Sequence, residues 1–592
     1  MASAGAGGGA AQAPTEARTA IAAILPTFGV KIESTIFYAG GLLVAAFYLV
    51  LKAYALNAYA GDEHIYLYQA KLIADGYAPY RDFFMAHPPV QALLTAAIFK
   101  IAGYHFLLGR LLPVLVTLAG GVGVALLARR ETGAIGAVAA MALALLAYEP
   151  LRASSHFTGV ETAVTLLVFA WLAARRDRMI LAAAFAVAAV LTRLYAIPGV
   201  AALVIVTLLD RPRRGLVLAL AGAAFGIAAF AALGLWTGFG AMFRDVFLYH
   251  AEKTAMDPGE LANMKAGVLF HNAVPAALFA LSLPAMLGAL GLAWRRAGAG
   301  ARLVPRLRAS IALSGTALPL AGAFTAILVL ALLLNMDRVW MYYFVPAFPF
   351  AALPAGWLAA LWIRGLVRLA RARFRIAAAS MTRGAVAGAL ILLAAFAACF
   401  LSSHLLERNL DYFEKETASP SEDRIYAWRD AALLPDCVNA AVRASLWRDE
   451  RVVGAPTSSF TFYLWHESRV LDVVDDAVSE IRARTAEGDA IFGDSGTVPL
   501  LALLSGRGIA AREVDTNVQR YRSGNADAAD LVRRIDAPTT RVVFLRGRFG
   551  VGGLPEIRDL VRREYVPDRS FRTSEGLSFQ MFVRRDATGA GR

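Results

Sequence analysis

The chain has 592 residues, of which 58% are hydrophobic, and its formal net charge is +14. A composition this apolar excludes an ordinary soluble protein. The positive charge would suggest a nucleic-acid partner in a soluble protein. Here it lies in short arginine clusters between apolar runs, so it indicates membrane orientation and no nucleic-acid binding.

The N-terminal residues 1–35 are rich in Ala and Gly and predict a disordered cytoplasmic tail. A basic start followed by an apolar stretch and a cleavage site is not seen, so a signal peptide is not predicted. Only two cysteines occur, Cys399 and Cys437, and their positions predict neither a disulfide nor a metal site.

Apolar runs recur between residues 36 and 403, and each is long enough to cross a hydrocarbon core of about 30 Å as a helix. We predict about eleven spans, at 36–56, 107–128, 134–150, 158–174, 179–193, 195–209, 215–236, 273–293, 309–334, 341–363 and 384–403. Arginine clusters follow the second, fourth, sixth, eighth and tenth spans. All of them lie on the cytoplasmic side if the N-terminus is cytoplasmic.

This orientation makes three long segments extracytoplasmic: the loop 57–106, the loop 237–272 and everything after residue 403. The apolar stretch 88–103 is excluded as a span because counting it would move Arg129 and Arg130 outside. We expect it to be a helix at the membrane surface, with Pro89 near its first turn.

Residues 404–592 have a different texture, in which short apolar runs alternate with helical patterns. The predicted strands are 489–494 and 540–547, and the predicted helices are 497–507, 528–535 and 554–565. The alternation indicates an α/β domain. Residues 493–496, "GDSG", fit either a phosphate- or sugar-binding loop or a plain strand-to-helix turn, and the turn is favoured. The fold class is therefore mainly α, a polytopic inner-membrane protein with a C-terminal extracytoplasmic α/β domain.

An acidic pair, Asp62 and Glu63, begins a helical pattern directly after the first span. One explanation is that acidic residues at a helix N-terminus complement the helix dipole. Another is function, since ionisable groups next to lipid usually face an interior or a water-filled cavity. The residues that follow favour the second explanation.

Residues 61–130 resemble the N-terminal part of the GT-C superfamily of membrane glycosyltransferases, closest to its protein O-mannosyltransferase and lipid A aminoarabinose transferase group. The resemblance covers about the first 210 residues, and the rest fits in layout. The residues that carry it are Asp62, Glu63, Gly76, Pro79, Tyr80, His87, Pro88, Pro89, Gly103 and Arg110.

The resemblance implies a membrane enzyme that moves a sugar from a polyprenyl-phosphate donor to a glycan, lipid or protein acceptor outside the membrane. Attack by an acceptor hydroxyl requires a group that receives its proton, and Asp62 is the candidate base. Glu63 is the alternative base, or it orients the acceptor. The leaving lipid phosphate needs cationic or hydrogen-bond stabilisation.

The same resemblance suggests the remaining site residues, each beside a simpler explanation. Arg193 and Arg338 are candidate ligands of the donor phosphate, together with Lys253, and a snorkelling arginine is the alternative for Arg193. Candidate substrate-binding residues are His87, Glu161, Tyr249, His250 and Tyr343. Glu161 is equally explained by neighbours that satisfy its carboxylate, His250 by solvation, and Tyr343 by an interfacial aromatic belt.

Metal use stays open. Asp62, Glu63, His64 and Glu161 are residue types that hold a divalent cation, and hard oxygen ligands would suggest Mg²⁺ or Mn²⁺. Two other functions compete with transfer. A transporter or flippase predicts internal repeats and charged groups in broken helices at mid-membrane, whereas the charges here cluster at the outer face. An envelope-glycan transport or assembly protein without transferase activity would not depend on Asp62.

The arginine clusters generate a test of topology. In a background without Cys399 and Cys437, single cysteines placed in 57–87 and in 404–592 should react with a membrane-impermeant thiol reagent on intact cells. A cysteine beside Arg213 should not react until the cells are opened. Labelling beside Arg213, with protection of 404–592, would reverse the orientation and move the acidic pair to the cytoplasm.

Overall fold

The computed structural model describes residues 30–55, 62–104, 106–154, 156–252, 255–297, 303–374, 474–546, 550–572 and 578–587. Up to residue 374 it is helical: α1 (Val30–Ala55), α2 (Glu63–Ala74), α3 (Val90–Ala102), α4 (Phe106–Leu146), α5 (Tyr148–Ala153), α6 (Val160–Arg175), α7 (Met179–Val190), α8 (Ile197–Asp210), α9 (Pro212–Thr237), α10 (Phe239–Phe243), α11 (Tyr249–Ala251), α12 (Pro258–His271), α13 (Ala273–Arg296), α14 (Leu303–Ser314), α15 (Ala317–Leu334) and α16 (Phe348–Phe374). Short 3₁₀ turns at Leu194–Ala196 and Met341–Ala347 and a π-turn at Arg244–Leu248 join some of them.

Every predicted span that falls on described residues coincides with helical structure, and the eleventh, 384–403, lies outside them. Within the described residues, six helices are long and apolar enough to cross a membrane: α1, α4, α9, α13, α15, and α16 together with the 3₁₀ turn before it. By contrast, α7 and α8 have 12 and 14 residues, too few for a full crossing as straight helices.

The second and third predicted spans are the two halves of α4, which meet at Gly133. This residue has φ 72° and ψ −175°, a conformation that favours glycine. The halves fold back on each other, because a Cβ on Gly121 would lie 2.5 Å from the Leu145 side chain. The reversal therefore needs only one non-helical residue.

The predicted span 309–334 is wrong as a single helix. Gly315, with φ 64°, separates α14 from α15. The helix predicted within 88–103 is confirmed as α3, which begins directly after Pro89, and its position at the membrane surface stays a prediction.

The described residues from 474 onward form a region with a five-stranded sheet and several helices, called the sheet region below. It contains α17 (Val474–Arg484), β1 (Ala490–Gly493), α18 (Val498–Ser505), β2 (Gly508–Ile509), α19 (Val518–Arg522), α20 (Ala528–Ile535), β3 (Thr540–Leu545), α21 (Pro555–Glu564), β4 (Tyr565–Arg572) and β5 (Ser578–Arg584). The strand order is β2-β1-β3-β5-β4, with β2, β1 and β3 parallel and the β3–β5 and β5–β4 pairs antiparallel. The two strands and three helices predicted here are confirmed. Residues 404–473 lie outside the described residues.

The "GDSG" segment is a strand-to-helix turn, as favoured. The Asp494 carboxylate accepts hydrogen bonds of 2.7 Å from the backbone N–H groups of Arg546 and Val551, beyond the end of β3. Its two oxygens are thus already used within the chain. Gly550 is required beside it, since a Cβ there would lie 1.8 Å from Asp494 Oδ1.

The sheet region packs on the loop 57–106, which the topology prediction makes external. Its helix α18 contacts α2, and residues of both regions share one hydrophobic core that includes Leu67, Leu72 and Leu500. Two hydrogen bonds reinforce this contact: Ile509 N donates to Tyr68 Oη at 3.0 Å, and Arg512 Nε donates to Asp82 O at 3.2 Å. The loop thus lies between membrane helices and sheet.

The Tyr68 bond is testable. Tyr68→Phe leaves the ring in the core but strips the acceptor from the Ile509 N–H, and an unsatisfied buried donor costs about 1–3 kcal/mol. We expect faster hydrogen exchange at the Ile509 amide and earlier proteolytic release of the sheet region. Tyr77→Phe is the matched control, because Tyr77 offers its ring to Arg512, 4.6 Å away, and phenylalanine keeps that contact. Equal exchange in both variants would contradict the role of Tyr68.

Candidate active site

The two side chains of the acidic pair lie in different environments: Asp62 is exposed and Glu63 is buried. Asp62 is the N-cap residue of α2 and is exposed, but its side chain makes no capping hydrogen bond. Its charge acts on the hydroxyl groups of Tyr66, Tyr342 and Tyr343, so its carboxylate lies within electrostatic reach of all three rings. A capping hydrogen bond therefore does not account for Asp62, and the helix-dipole explanation stays a prediction.

Glu63, in contrast, is fully buried. Its Oε1 lies 2.9 Å from Nε of Arg110, which is 1% exposed, and its Oε2 lies 3.9 Å from His156 Nδ1. Burial opposes ionisation of Glu63, but Arg110 and the His156 and His64 rings outweigh it and hold the pKa of the carboxyl below its usual range. This position argues against both roles considered for Glu63, the base and a direct contact with the acceptor.

The structure does not bring the four candidate metal ligands together as one group. Within the described ranges, no three His, Cys, Asp or Glu side chains form a possible metal-binding cluster. Glu63 is paired with Arg110. The use of Mg²⁺ or Mn²⁺ stays a prediction.

Arg193 lies in the turn between α7 and α8. It is 4% exposed, and its guanidinium carbon lies 4.7 Å from the centre of the Tyr66 ring. Its Nε has no hydrogen-bond partner within the described chain. Gly159 leaves room for it, since a Cβ there would lie 3.1 Å from Arg193 Nε and the glycine has φ 82°. A buried guanidinium with a free donor is suited to an anion.

Glu161 lies behind this arginine, and neighbours satisfy its carboxylate. Oε1 accepts from Gln91 Nε2 at 3.0 Å and from Gly159 N at 3.1 Å, and Oε2 accepts from Thr158 Oγ1 at 3.3 Å. Its charge also acts on Arg193. The contacts of Glu161 therefore agree with the simpler explanation, in which neighbouring groups satisfy its carboxylate. The Glu161 carboxylate also offsets the charge of Arg193.

Two histidines from different loops meet beside Tyr66. The His87 and His250 rings stack with centroids 5.2 Å apart, and His87 Nε2 lies 3.1 Å from Tyr66 Oη. His250 Nε2 donates to Ala86 O at 2.7 Å, so this histidine is held by the protein and is not merely solvated. Tyr249 is buried, with its ring edge-on to Phe84 at 5.1 Å.

The turn after α15 adds Tyr343 to this set of rings. The set, called the aromatic group below, consists of Tyr66, His87, Tyr195, His250 and Tyr343. Tyr343 stacks on Tyr195 with centroids 5.3 Å apart, so it belongs to an internal aromatic cluster and not simply to an interfacial belt. Arg338 is half-buried, and its charge acts on Tyr249 and Tyr343. Lys253 lies outside the described residues.

An apolar cavity of about 440 Å³ adjoins this group. Helices α7, α8 and α9 form most of its wall, and Pro88, Pro89, Leu191 and Leu194 also line it. Leu191 and Leu194 flank Arg193 in the chain, and Val90 N donates to Leu191 O at 3.1 Å, which joins the two segments of the wall. An apolar cavity therefore lies beside the chain segment that carries a buried cation.

Sequence reasoning missed four residues of this region. Tyr66 follows Asp62 by one helical turn, so that spacing could have revealed it, and Tyr195 follows Arg193 by two positions. The sheet region supplies the others: Asp515, whose charge acts on Tyr66 and Tyr249, and Arg520, whose guanidinium carbon lies 3.6 Å from the Phe84 ring centre. Nothing in the sequence pairs Asp515 or Arg520 with the external loop.

No protein-family model matches this sequence, and no curated protein matches it in sequence. Solved structures do resemble it. ArnT from Cupriavidus metallidurans bound to undecaprenyl phosphate aligns with a TM-score of 0.54 at 15% identity, over 91% of this chain and 97% of ArnT. ArnT in the apo state aligns with a TM-score of 0.55 at 17% identity, over 93% and 98%.

The Archaeoglobus fulgidus oligosaccharyltransferase tethered to an acceptor peptide aligns more loosely, with a TM-score of 0.47 at 12% identity, over 92% and 74%. At the identity of the ArnT structures, the likeness concerns the fold. It runs over nearly the whole of both chains. The chain therefore has the fold of ArnT.

Proposed function

We propose that the protein is a glycosyltransferase that moves a sugar from a polyprenyl-phosphate donor to an acceptor outside the membrane. One observation carries the proposal: the buried Arg193 guanidinium, whose Nε has no hydrogen-bond partner within the described residues, lies next to the aromatic group that Asp62 also reaches, and Leu191 and Leu194 on either side of Arg193 in the chain line an apolar cavity. The cavity suits a polyprenyl chain, the arginine suits its phosphate, and the carboxylate is placed for the reacting sugar.

The residues divide the reaction between them. The acceptor oxygen forms a bond to the anomeric carbon as the bond from that carbon to the phosphate oxygen breaks. The Asp62 carboxylate takes the acceptor proton. The electron pair leaves with the phosphate, whose growing negative charge is stabilised by Arg193 and Arg338. No step calls for Glu63, whose carboxylate stays with Arg110.

The aromatic group defines the space for the sugar. The charges of both Asp62 and Arg193 act on Tyr66 and Tyr343, and the stacked pair His87–His250 contacts Tyr66 through His87. These rings supply hydroxyl and imidazole groups that hydrogen-bond to sugar hydroxyls. The fold of ArnT, whose crystal structure holds undecaprenyl phosphate, supports a lipid-phosphate donor. A cell-membrane location with an external site follows from this proposal.

Asp62→Asn tests the base. The change keeps the size of the side chain but removes the proton acceptor, and general-base catalysis is worth about 10²–10⁴-fold in rate. The variant in lipid nanodiscs should bind polyprenyl-phosphate sugar normally and transfer the sugar at a rate reduced by about that factor. Asp75→Asn, at the other end of α2 and exposed, is the matched control and should transfer normally.

Near-normal turnover by Asp62→Asn, at equal amounts of folded protein, would remove the catalytic assignment. The acidic pair would then be a feature of the helix start, and the assembly protein without transferase activity would become the better account.

Arg193→Ala tests the phosphate site. Loss of a hydrogen bond to a charged group costs about 1.5–3 kcal/mol, so affinity for polyprenyl phosphate should fall about ten- to a hundredfold. Arg193→Lys should lose less, and Arg338→Ala should weaken binding in the same direction. Arg130→Ala is the control, because Arg130 is exposed near the end of the first half of α4, and its affinity for polyprenyl phosphate should not change. Unchanged affinity in both alanine variants at 193 and 338 places the phosphate elsewhere.

A further inference from the structure

A second, polar pocket lies where the sheet region meets the external loop. It has a volume of about 340 Å³, and its walls are residues 80–84, Arg244 and Asp245 on one side and residues between 511 and 534 on the other. This volume falls in the range of about 300–1,000 Å³ that is usual for small-molecule sites. The proposed transfer reaction uses none of these side chains.

The pocket is highly polar but balanced in charge. Five arginines and five acidic side chains line it. Such a lining does not favour a polyanion, which would meet as many carboxylates as guanidinium groups. It suits a neutral ligand with many hydroxyl groups, because each hydroxyl both donates and accepts. Carboxylates accept from such groups and guanidinium groups donate to them.

Two buried side chains in this pocket have polar atoms whose hydrogen bonding is weak or unmet within the described residues. Asp245 is 5% exposed, and its oxygens lie 3.5 Å from Met85 N and 3.6 Å from Arg244 Nε, both longer than a good hydrogen bond. Burial raises the pKa of Asp245 to about 6. Arg520 is 6% exposed, and its Nε has no hydrogen-bond partner within the described chain. Buried groups of this kind call for water or a ligand.

Arg520 itself is firmly placed. Its Nη1 donates to Glu513 Oε1 and to Asp515 O, and its guanidinium lies on the Phe84 ring. The pocket is thus preorganised by contacts between the sheet region and the loop.

A series of ring contacts connects this pocket to the reaction centre. Phe84, in the pocket wall, contacts the Tyr249 ring, and the next residue, His250, stacks on His87. His87 in turn contacts Tyr66, one turn from Asp62. The pocket wall and the reaction centre are therefore parts of one continuous set of contacts.

We propose that this pocket binds a neutral saccharide portion of the acceptor, so that the acceptor is a glycan or a glycan-bearing lipid. The inference rests on the proposed transferase function. In it, the sheet region selects the acceptor while the membrane helices bind the donor. Asp245 and Arg520 hold the sugar hydroxyls.

Binding of the full-length protein in nanodiscs to an array of neutral gluco-, galacto-, manno- and arabino-oligosaccharides tests this assignment, with Ser/Thr-containing peptides on the same array. The wild type should bind at least one saccharide class. Asp245→Asn and Arg520→Gln should each weaken that binding about tenfold or more. Asp559→Asn, 67% exposed on α21 and away from the pocket, should not. Two pocket variants guard against a folding defect in one of them.

Polyprenyl-phosphate binding is measured on the same samples. It should be unchanged in Asp245→Asn, because the donor site is separate. Wild-type binding to peptides alone, or saccharide binding that both pocket variants retain, would overturn the pocket assignment and leave the donor site intact. Saccharide binding that the variants lose, with no polyprenyl-phosphate binding by the wild type, would support the pocket and sink the transferase proposal.

Discussion

The buried ion pair between Glu63 and Arg110 fixes the position of the start of α2 relative to the membrane helices. Both side chains are inaccessible to solvent, and separating such a pair would leave an uncompensated buried charge, at a cost of about 3–5 kcal/mol. The start of α2 is therefore held against α4. Because adjacent residues on a helix point in different directions, anchoring Glu63 inward turns Asp62 outward, toward the aromatic group.

The site assembled around this anchor is composite. Its parts come from the external loop, the α7–α8 turn, the segment before α12, the turn after α15 and the sheet region, none of which could form it alone. Aromatic rings connect them, as in the contacts of Tyr66 with Arg193 and of Phe84 with Arg520. The membrane helices thus provide an apolar passage and a cation, and the sheet region covers the polar side.

The sequence predicted helices well because each apolar run has to satisfy its own backbone within a membrane. It did not predict the break at Gly315, since the run 309–334 is apolar on both sides of a single permissive residue. Nor did it predict β4 and β5, in which charged residues interrupt the alternation of apolar residues. The acidic pair was recognised, but which member faces inward depends on Arg110, 47 positions away from Glu63. Asp515 and Arg520 were missed because Tyr66 and Phe84, on which they act, are more than 400 positions distant.

The Asp494 turn has a consequence for how the sheet region can work. Open α/β sheets usually take ligands in the crevice at the carboxyl ends of neighbouring parallel strands, where the connections leave in opposite directions. Here that crevice, between β1 and β3, is bridged from Asp494 to the backbone at Arg546 and Val551. These hydrogen bonds occupy the opening in which open α/β sheets of other proteins usually bind ligands. Under the proposed function, recognition would instead fall to the segments between 511 and 534 that contact the loop 57–106.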